Sequence, residues 1–218
     1  MSSEPSAKKQ KVSPCVITLA DDFHMNDTIL QPIIKSSKCN LSKLTMKKEP
    51  CGPVLVQLNG GGFIPSSFGI EDKEQDGRRK VQLAIQIDSL SDHTNLERMR
   101  TELSEMVSQQ WATWFPDNVP PSQEVLQSFC NNLVSPRKKK KTGEGTWSGI
   151  AKASIEPDDC TSMRCKIVDK DTGDIVPFHM LPGRTWHKAI FEFKYVFIQA
   201  TKSYGITKKL RYMLCSSK

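Results

Sequence analysis

Ala189-Ile190-Phe191-Glu192-Phe193-Lys194-Tyr195-Val196-Phe197-Ile198-Gln199-Ala200 is the stretch on which the fold turns. Side chains of a strand alternate between two faces, so Phe191, Phe193, Tyr195 and Phe197 share one face and Ile190, Glu192, Lys194, Val196 and Ile198 the other. An aromatic stripe on a strand belongs first to a core, and Phe191 and Phe193 are assigned there. Tyr195 and Phe197, with Trp186 upstream and Tyr204 downstream, are left as candidates for stacking on a flat partner. Lys202-Ser203-Tyr204-Gly205 reads as a turn, and Ile206 to Cys215 as the returning strand. In that strand Thr207, Lys209, Arg211 and Met213 share one face, and Ile206, Leu210, Tyr212 and Leu214 the other. Such a pair buries one face and offers cations from the other.

Working back toward the N-terminus, the same β texture persists. Turn signals stand at Pro157-Asp158-Asp159, Asp171-Thr172-Gly173-Asp174 and Pro182-Gly183. Arg164 to Val168 and Ile175 to Phe178 read as a hairpin about the second of these. Before them lies Arg137-Lys138-Lys139-Lys140-Lys141, followed by the flexible Thr142-Gly143-Glu144-Gly145-Thr146. Three readings of the basic run stand side by side: half of a bipartite import signal, a phosphate-contacting loop, or a solvated charge run. Ser135-Pro136-Arg137-Lys138 also fits a proline-directed kinase pattern.

The period changes in the middle of the chain. Leu96, Met99, Leu103, Met106, Val107, Trp111 and Trp114 recur at helical spacing and predict an amphipathic helix over 93–114, ended by Pro116, Pro120 and Pro121. A second helix is expected from Ser122, its N-cap, to about Leu133. The first half is β again. Cys15 to Leu19, Leu41 to Lys47 and Val54 to Leu58 read as strands, and Val81-Gln82-Leu83-Ala84-Ile85-Gln86-Ile87-Asp88 puts four aliphatic side chains on one face. Asn59-Gly60-Gly61-Gly62 breaks the chain between them, which suggests a hairpin with an elaborated loop. Residues 1–14 are polar, carry the short basic cluster Lys8-Lys9-Gln10-Lys11, and are expected to be a disordered tail.

Composition narrows the function. The 218 residues are 37% hydrophobic and 25% charged, with a formal net charge of +7. Residues 1–135 hold 14 Lys/Arg against 16 Asp/Glu, and residues 136–218 hold 17 against 8, so the excess lies wholly in the last part. A one-sided basic field draws a polyanion and gains from released counterions. No run approaches the roughly 18 apolar residues of a membrane span, and no secretory leader is read at the N-terminus. Seven scattered cysteines without a C-x-x-C pair argue for free thiols in a reducing, intracellular compartment, and no metal site or cofactor is expected. His24, His93, His179 and His187 have no triad partners nearby, and Gly60-Gly61-Gly62 lacks the Lys-Ser/Thr of a phosphate loop, so the expectation is binding and not catalysis.

Cations interleave with flat rings in the basic part, which is what an unpaired strand requires. The candidate nucleic-acid-binding residues are Arg137, Lys138, Lys139, Lys140, Lys141, Trp147, Arg184, Trp186, Lys188, Tyr195, Phe197, Lys202, Tyr204, Lys208, Lys209 and Arg211.

Several motifs follow one another in a familiar order: Thr146-Trp147-Ser148-Gly149, Ile167 through Val176, Pro182-Gly183-Arg184-Thr185-Trp186, Phe191 to Ile198, and Tyr204 to Leu210. In these the chain resembles the single-stranded DNA-binding proteins of large eukaryotic DNA viruses and related algal and protist sequences, distant kin of the podophage replication type. The resemblance covers residues 50–215 in element order, with its sharper motifs in 146–214. It implies an OB-like five-stranded barrel, here mainly β with a helical insertion (α+β), that binds single strands through a basic, aromatic-bearing groove. Residues 15–215 would form one such domain, with the helical insertion at about 93–134 and a basic loop at 135–146. A role in DNA replication, recombination or repair is implied, with replication proteins as further partners and the nucleus or a viral replication site as the place. Podophage relatives end in an acidic tail; here the last residues are Leu214-Cys215-Ser216-Ser217-Lys218. Two other expectations stand beside this one: a basic structural or interaction protein without single-strand selectivity, and RNA as the ligand.

Overall fold

A computed structural model describes residues 16–31, 34–35, 41–48, 52–75, 78–114, 119–139, 145–155, 165–199 and 202–217. The tail expected at 1–14 lies outside the described residues, as do Lys140 and Lys141. Strands β1 (Ile17–Leu19), β2 (Thr28–Leu30), β3 (Ile34–Lys35), β4 (Leu41–Lys48), β5 (Val54–Leu58), β6 (Gly62–Phe63), β7 (Ile70–Gln75) and β8 (Arg78–Ile87) fill the first part. Helices α1 (Leu90–Gln109), α2 (Trp111–Trp114) and α3 (Gln123–Phe129) interrupt them. Then come β9 (Lys138–Lys139), β10 (Thr146–Trp147), β11 (Gly149–Ile155), β12 (Lys166–Asp169), β13 (Thr185–Gln199) and β14 (Tyr204–Ser216). The chain is thus mainly β with a helical insertion.

Among the described residues, twelve strands join in one sheet whose main path runs β1-β5-β13-β14-β11-β8-β7, and β9 and β10 form a separate ribbon. The length of β13 explains its position. Along one edge it pairs with β6, β5 and β4 in turn, and along the other with β14. β11 and β12 both run parallel to β14. The hairpin expected across the glycine break forms elsewhere: β7 pairs with β8, while β5 pairs with β13 and β1. The expected hairpin at 164–178 forms as a short one: Val168 bridges Ile175, with the Asp169 N–H donated to the Asp174 carbonyl and the Val176 N–H to the Ile167 carbonyl, each at 2.9 Å. The other edge of β12 takes β14, and Arg164 lies outside the described residues. Gly173 N–H reaches the Asp169 carbonyl at 2.9 Å to close that turn, with Gly173 at φ +77°.

Burial follows the period-2 pattern in β8, where Val81, Leu83, Ile85 and Ile87 are at most 1% exposed. In α1 the stripe Leu96, Met99, Leu103, Met106 and Val107 is buried. That helix starts at Leu90, earlier than its apolar period, because Ser89 caps it: the Ser89 hydroxyl accepts the Asp92 N–H at 3.2 Å. The helix breaks at Gln110, and α3 stops at Phe129, short of Leu133. Arg98 ties α1 to the N-terminal segment by donating to the carbonyls of Ala20 and Phe23, each at 2.9 Å. Glu102 accepts the Met25 N–H at 2.8 Å. Buried side chains from the sheet and from α1, α2 and α3 join in one cluster. Among the described residues no helix is long and apolar enough to cross a membrane.

Candidate nucleic-acid interface

Strict alternation does not survive along β13 and β14. The register shifts between Ile190 and Phe191 and again between Phe193 and Tyr195, so each bulge moves the following residues to the opposite face. Phe191 and Phe193 point into the core at 3% and 1% exposure, but beyond the second bulge Val196 and Ile198 do so. Tyr195 and Phe197 are therefore half-buried on the outer face. In β14 the pairing passes over Arg211, since Ile190 faces Tyr212 and Phe191 faces Leu210. Met213 and Cys215 become core, and Tyr212 and Leu214 turn outward, the reverse of the alternation expected from sequence.

Register then places the outer side chains in rows. Thr45, Tyr195 and Thr207 lie side by side, and Glu192, Lys209 and Ser154 form the next row. The Lys194 ammonium stands 5.2 Å from the Tyr195 ring centroid, within cation–π range. Arg211 donates from Nε to Glu192 Oε2 at 2.6 Å. Desolvation, then the nearby Arg211 charge, lowers the Lys209 pKa. Phe197 faces Gly205, where a Cβ would stand 3.0 Å from the ring's Cζ, so the ring lies directly on glycine backbone. Beside these rows runs an open groove of about 290 Å3 lined by Thr45, Met46, Lys47, Gly52, Pro53, Glu192 and Lys194. Lys188, opposite Leu214, continues the cations along β13. The face thus offers ring surfaces flanked by ammonium and guanidinium groups, a surface that can hold a polyanion carrying flat apolar groups.

Other candidates lie elsewhere. Trp186 is fully buried, its Nε1–H donated to the Gln86 carbonyl at 2.8 Å, and presents no face for stacking. Gly62 makes that contact possible, since a Cβ there would stand 2.0 Å from the Gln86 oxygen. Tyr204 is likewise buried, its hydroxyl donating to the Leu126 carbonyl at 2.8 Å. Lys208 stands opposite the core residue Phe193 and donates its ammonium to the Leu133 carbonyl, so it is turned away from the cationic rows. Burial pushes its pKa down to about 7. Arg184 is committed to a turn: Nη1 donates to Asp169 Oδ2 at 2.5 Å and Nε to the Met180 carbonyl at 3.1 Å. That guanidinium, with the N–H groups of Asp171 and Thr172, holds the Asp169 carboxyl below the usual range.

The basic run divides. Arg137 donates to the Asp88 carbonyl at 3.3 Å, and Lys138 is exposed. Backbone pairing sets Lys138 opposite Trp147 and Lys139 opposite Thr146, which makes the expected loop a ribbon at its base. Ser135, the residue of the kinase pattern, uses its hydroxyl to accept the Ile150 N–H at 2.8 Å. Lys202 sits with its ammonium 6.0 Å from the Trp111 ring centroid. Of the sequence candidates, the face gathers Lys188, Tyr195, Phe197, Lys209 and Arg211. It adds Lys47, Lys194 and Glu192, which the sequence reading left out of the site. Glu192 and Lys194 alternate with the aromatic residues of β13, a signal already visible there. Lys47 gave none, because only the pairing of β4 with β13 brings it near.

Comparison with known proteins adds little. No protein-family description matches the chain, and no curated protein matches it. Among solved structures it is similar to a chain described as "Single-stranded DNA-binding protein from bacteriophage Enc34 in complex with ssDNA", with 11% sequence identity and a TM-score of 0.37. That match covers 85% of this chain and 94% of the other. A likeness at that level leaves function to be argued from the geometry of the chain itself.

Proposed function

We propose that this protein binds single-stranded DNA with little sequence preference, through the outer face of β13 and β14 and the groove beside it. One observation carries the reading: Tyr195 and Phe197 share an outer face with Lys194, Lys209 and Arg211, next to the Lys47 side of the groove. Rings take bases and cations follow the phosphates, and neither demand specifies a sequence.

The same reading takes the sheet as an OB-like barrel of five winding strands in a single domain. β5, β6 and β7 are successive parts of residues 54–75; the first two pair with β13, and β7 pairs with β8. With the Ala84 N–H donated to the Gly69 carbonyl at 2.8 Å, both ends of the order β13-β14-β11-β8 meet this one stretch. The protein would act by binding, without cofactor or turnover, in support of replication, recombination or repair, in the nucleus or at a viral replication site. The basic ribbon at Lys138–Lys139 would add phosphate contacts.

The test is an anisotropy titration of labelled single-stranded DNA, its duplex and the matching RNA, each at two salt concentrations. Preference for the single strand, weakened by salt, is expected. Tyr195→Ala and Phe197→Ala should each weaken binding by about 1–3 kcal/mol, the range for one stacked base. Equal affinity for duplex, unchanged by either substitution, would instead leave a basic protein that decorates nucleic acid without selecting single strands.

A further inference from the structure

Glu192 is an acid set among cations. Its carboxylate accepts from Arg211, its backbone position lies directly opposite Lys209, and Lys194 lines the same groove two residues on. Its side chain retains 12% exposure and that of Arg211 21%, so both remain within reach of solvent. To hold its place in the sheet, the strand needs only a residue of extended shape at this position. The register partner of Glu192 on its other edge is Leu55, which calls for no charge there.

We infer that Glu192 is an intramolecular stand-in for a phosphate group, occupying Arg211 until a DNA strand displaces it. The inference rests on the single-strand reading above. An arginine fork donates to a carboxylate or to a phosphate with the same geometry. An incoming strand must therefore break the Glu192–Arg211 pair before it can use that guanidinium, and the carboxylate left behind repels the phosphate that replaces it. Binding a phosphate at this point is thus offset by the ion pair it displaces. The consequence is a face that binds less tightly than its cations allow and releases a strand more readily, which suits a protein that must yield its DNA to other enzymes.

The test compares the wild type with Glu192→Gln by anisotropy titration of a labelled single strand over a range of salt concentrations. Glutamine keeps the length and the acceptor oxygen but removes the charge. Its affinity at low salt should rise about three- to tenfold. The slope of log K against log salt should steepen by about 0.7, the value for one further phosphate contact on a single strand. Dissociation of the complex should slow in proportion. Arg211→Gln supplies the control for folding and for mechanism: in that background Glu192→Gln should raise affinity markedly less, because no guanidinium is released. Thermal melting of the wild type, the two single variants and the double variant shows whether each remains folded. If wild type and Glu192→Gln bind with the same affinity and salt slope, the inference is overturned while the single-strand reading stands. An equal rise with and without the Arg211→Gln substitution overturns the stand-in role too, leaving a general charge effect. Binding by neither protein at low salt overturns both readings.

Discussion

Replacing Lys208 with methionine should make the protein more stable in mild acid and remove a rise in stability that the wild type shows toward alkaline pH. Lys208 lies on the core side of β14, opposite Phe193, with its ammonium against the Leu133 carbonyl. Burial pushes its pKa down to about 7, against about 10.4 in an unfolded chain. Below pH 7 the lysine is charged in both states, and the folded state bears the whole cost of burying it. Between pH 7 and 10.4 the unfolded chain holds the proton that the folded chain has released, so stability climbs with pH. Three pH units at about 1.4 kcal/mol each put the full cost at roughly 4 kcal/mol. Methionine keeps the aliphatic length but abandons the Leu133 carbonyl, a loss of about 1 kcal/mol. The variant should therefore gain about 2–3 kcal/mol at pH 6, and the gain should shrink toward zero by pH 9. Urea unfolding followed through the buried Trp111 and Trp186 measures both proteins across that range. Parallel stability curves, or a variant less stable than wild type at pH 6, would refute the reasoning.

Trp186→Phe removes the N–H that satisfies the Gln86 carbonyl and should cost about 1–3 kcal/mol by urea unfolding, with the affinity of the folded protein for single strands unchanged. Gly62→Ala drives a Cβ to 2.0 Å from that same oxygen and should destabilise more, by about 3 kcal/mol, read as a lowered melting temperature. Asp169, whose carboxyl is held low by Arg184, stabilises the fold above the ordinary carboxylate range and loses that contribution as pH falls through its depressed value. Asp169→Asn should be less stable than wild type at pH 7, and the difference should shrink as pH falls below the ordinary carboxylate range, by thermal melting.

Local patterns carried the strands well and the faces poorly. Val54–Leu58 coincides with β5, and the four aliphatic residues of β8 are buried as their alternation requires. In β13 and β14 the alternation was equally clear, yet it assigned Met213, Tyr212 and Leu214 to the wrong sides. A bulge leaves no local mark, because it is settled by which residue across the strand pair is skipped. Trp186 and Tyr204 looked like stacking residues for a related reason: their polar atoms find carbonyls 100 and 78 residues away, at Gln86 and Leu126. Lys208 carried a clue, since it alternates with Ile206 and Leu210 and so belonged to the inward side from the start.

The position of β13 bears on how the protein is made. Its N-terminal partners β4, β5 and β6 leave the ribosome more than a hundred residues before it does, with exposed edges and no companion along the side it will occupy. In a nascent chain halted short of Thr185, β5 can pair with β1 and β4 with β2 and β3, but the edge that β13 will fill stays open to a stranger. Closing such distant contacts is slow, and unpaired strand edges invite aggregation while they wait. Expression yield should accordingly depend on translation speed through the last third of the message and on holding chaperones.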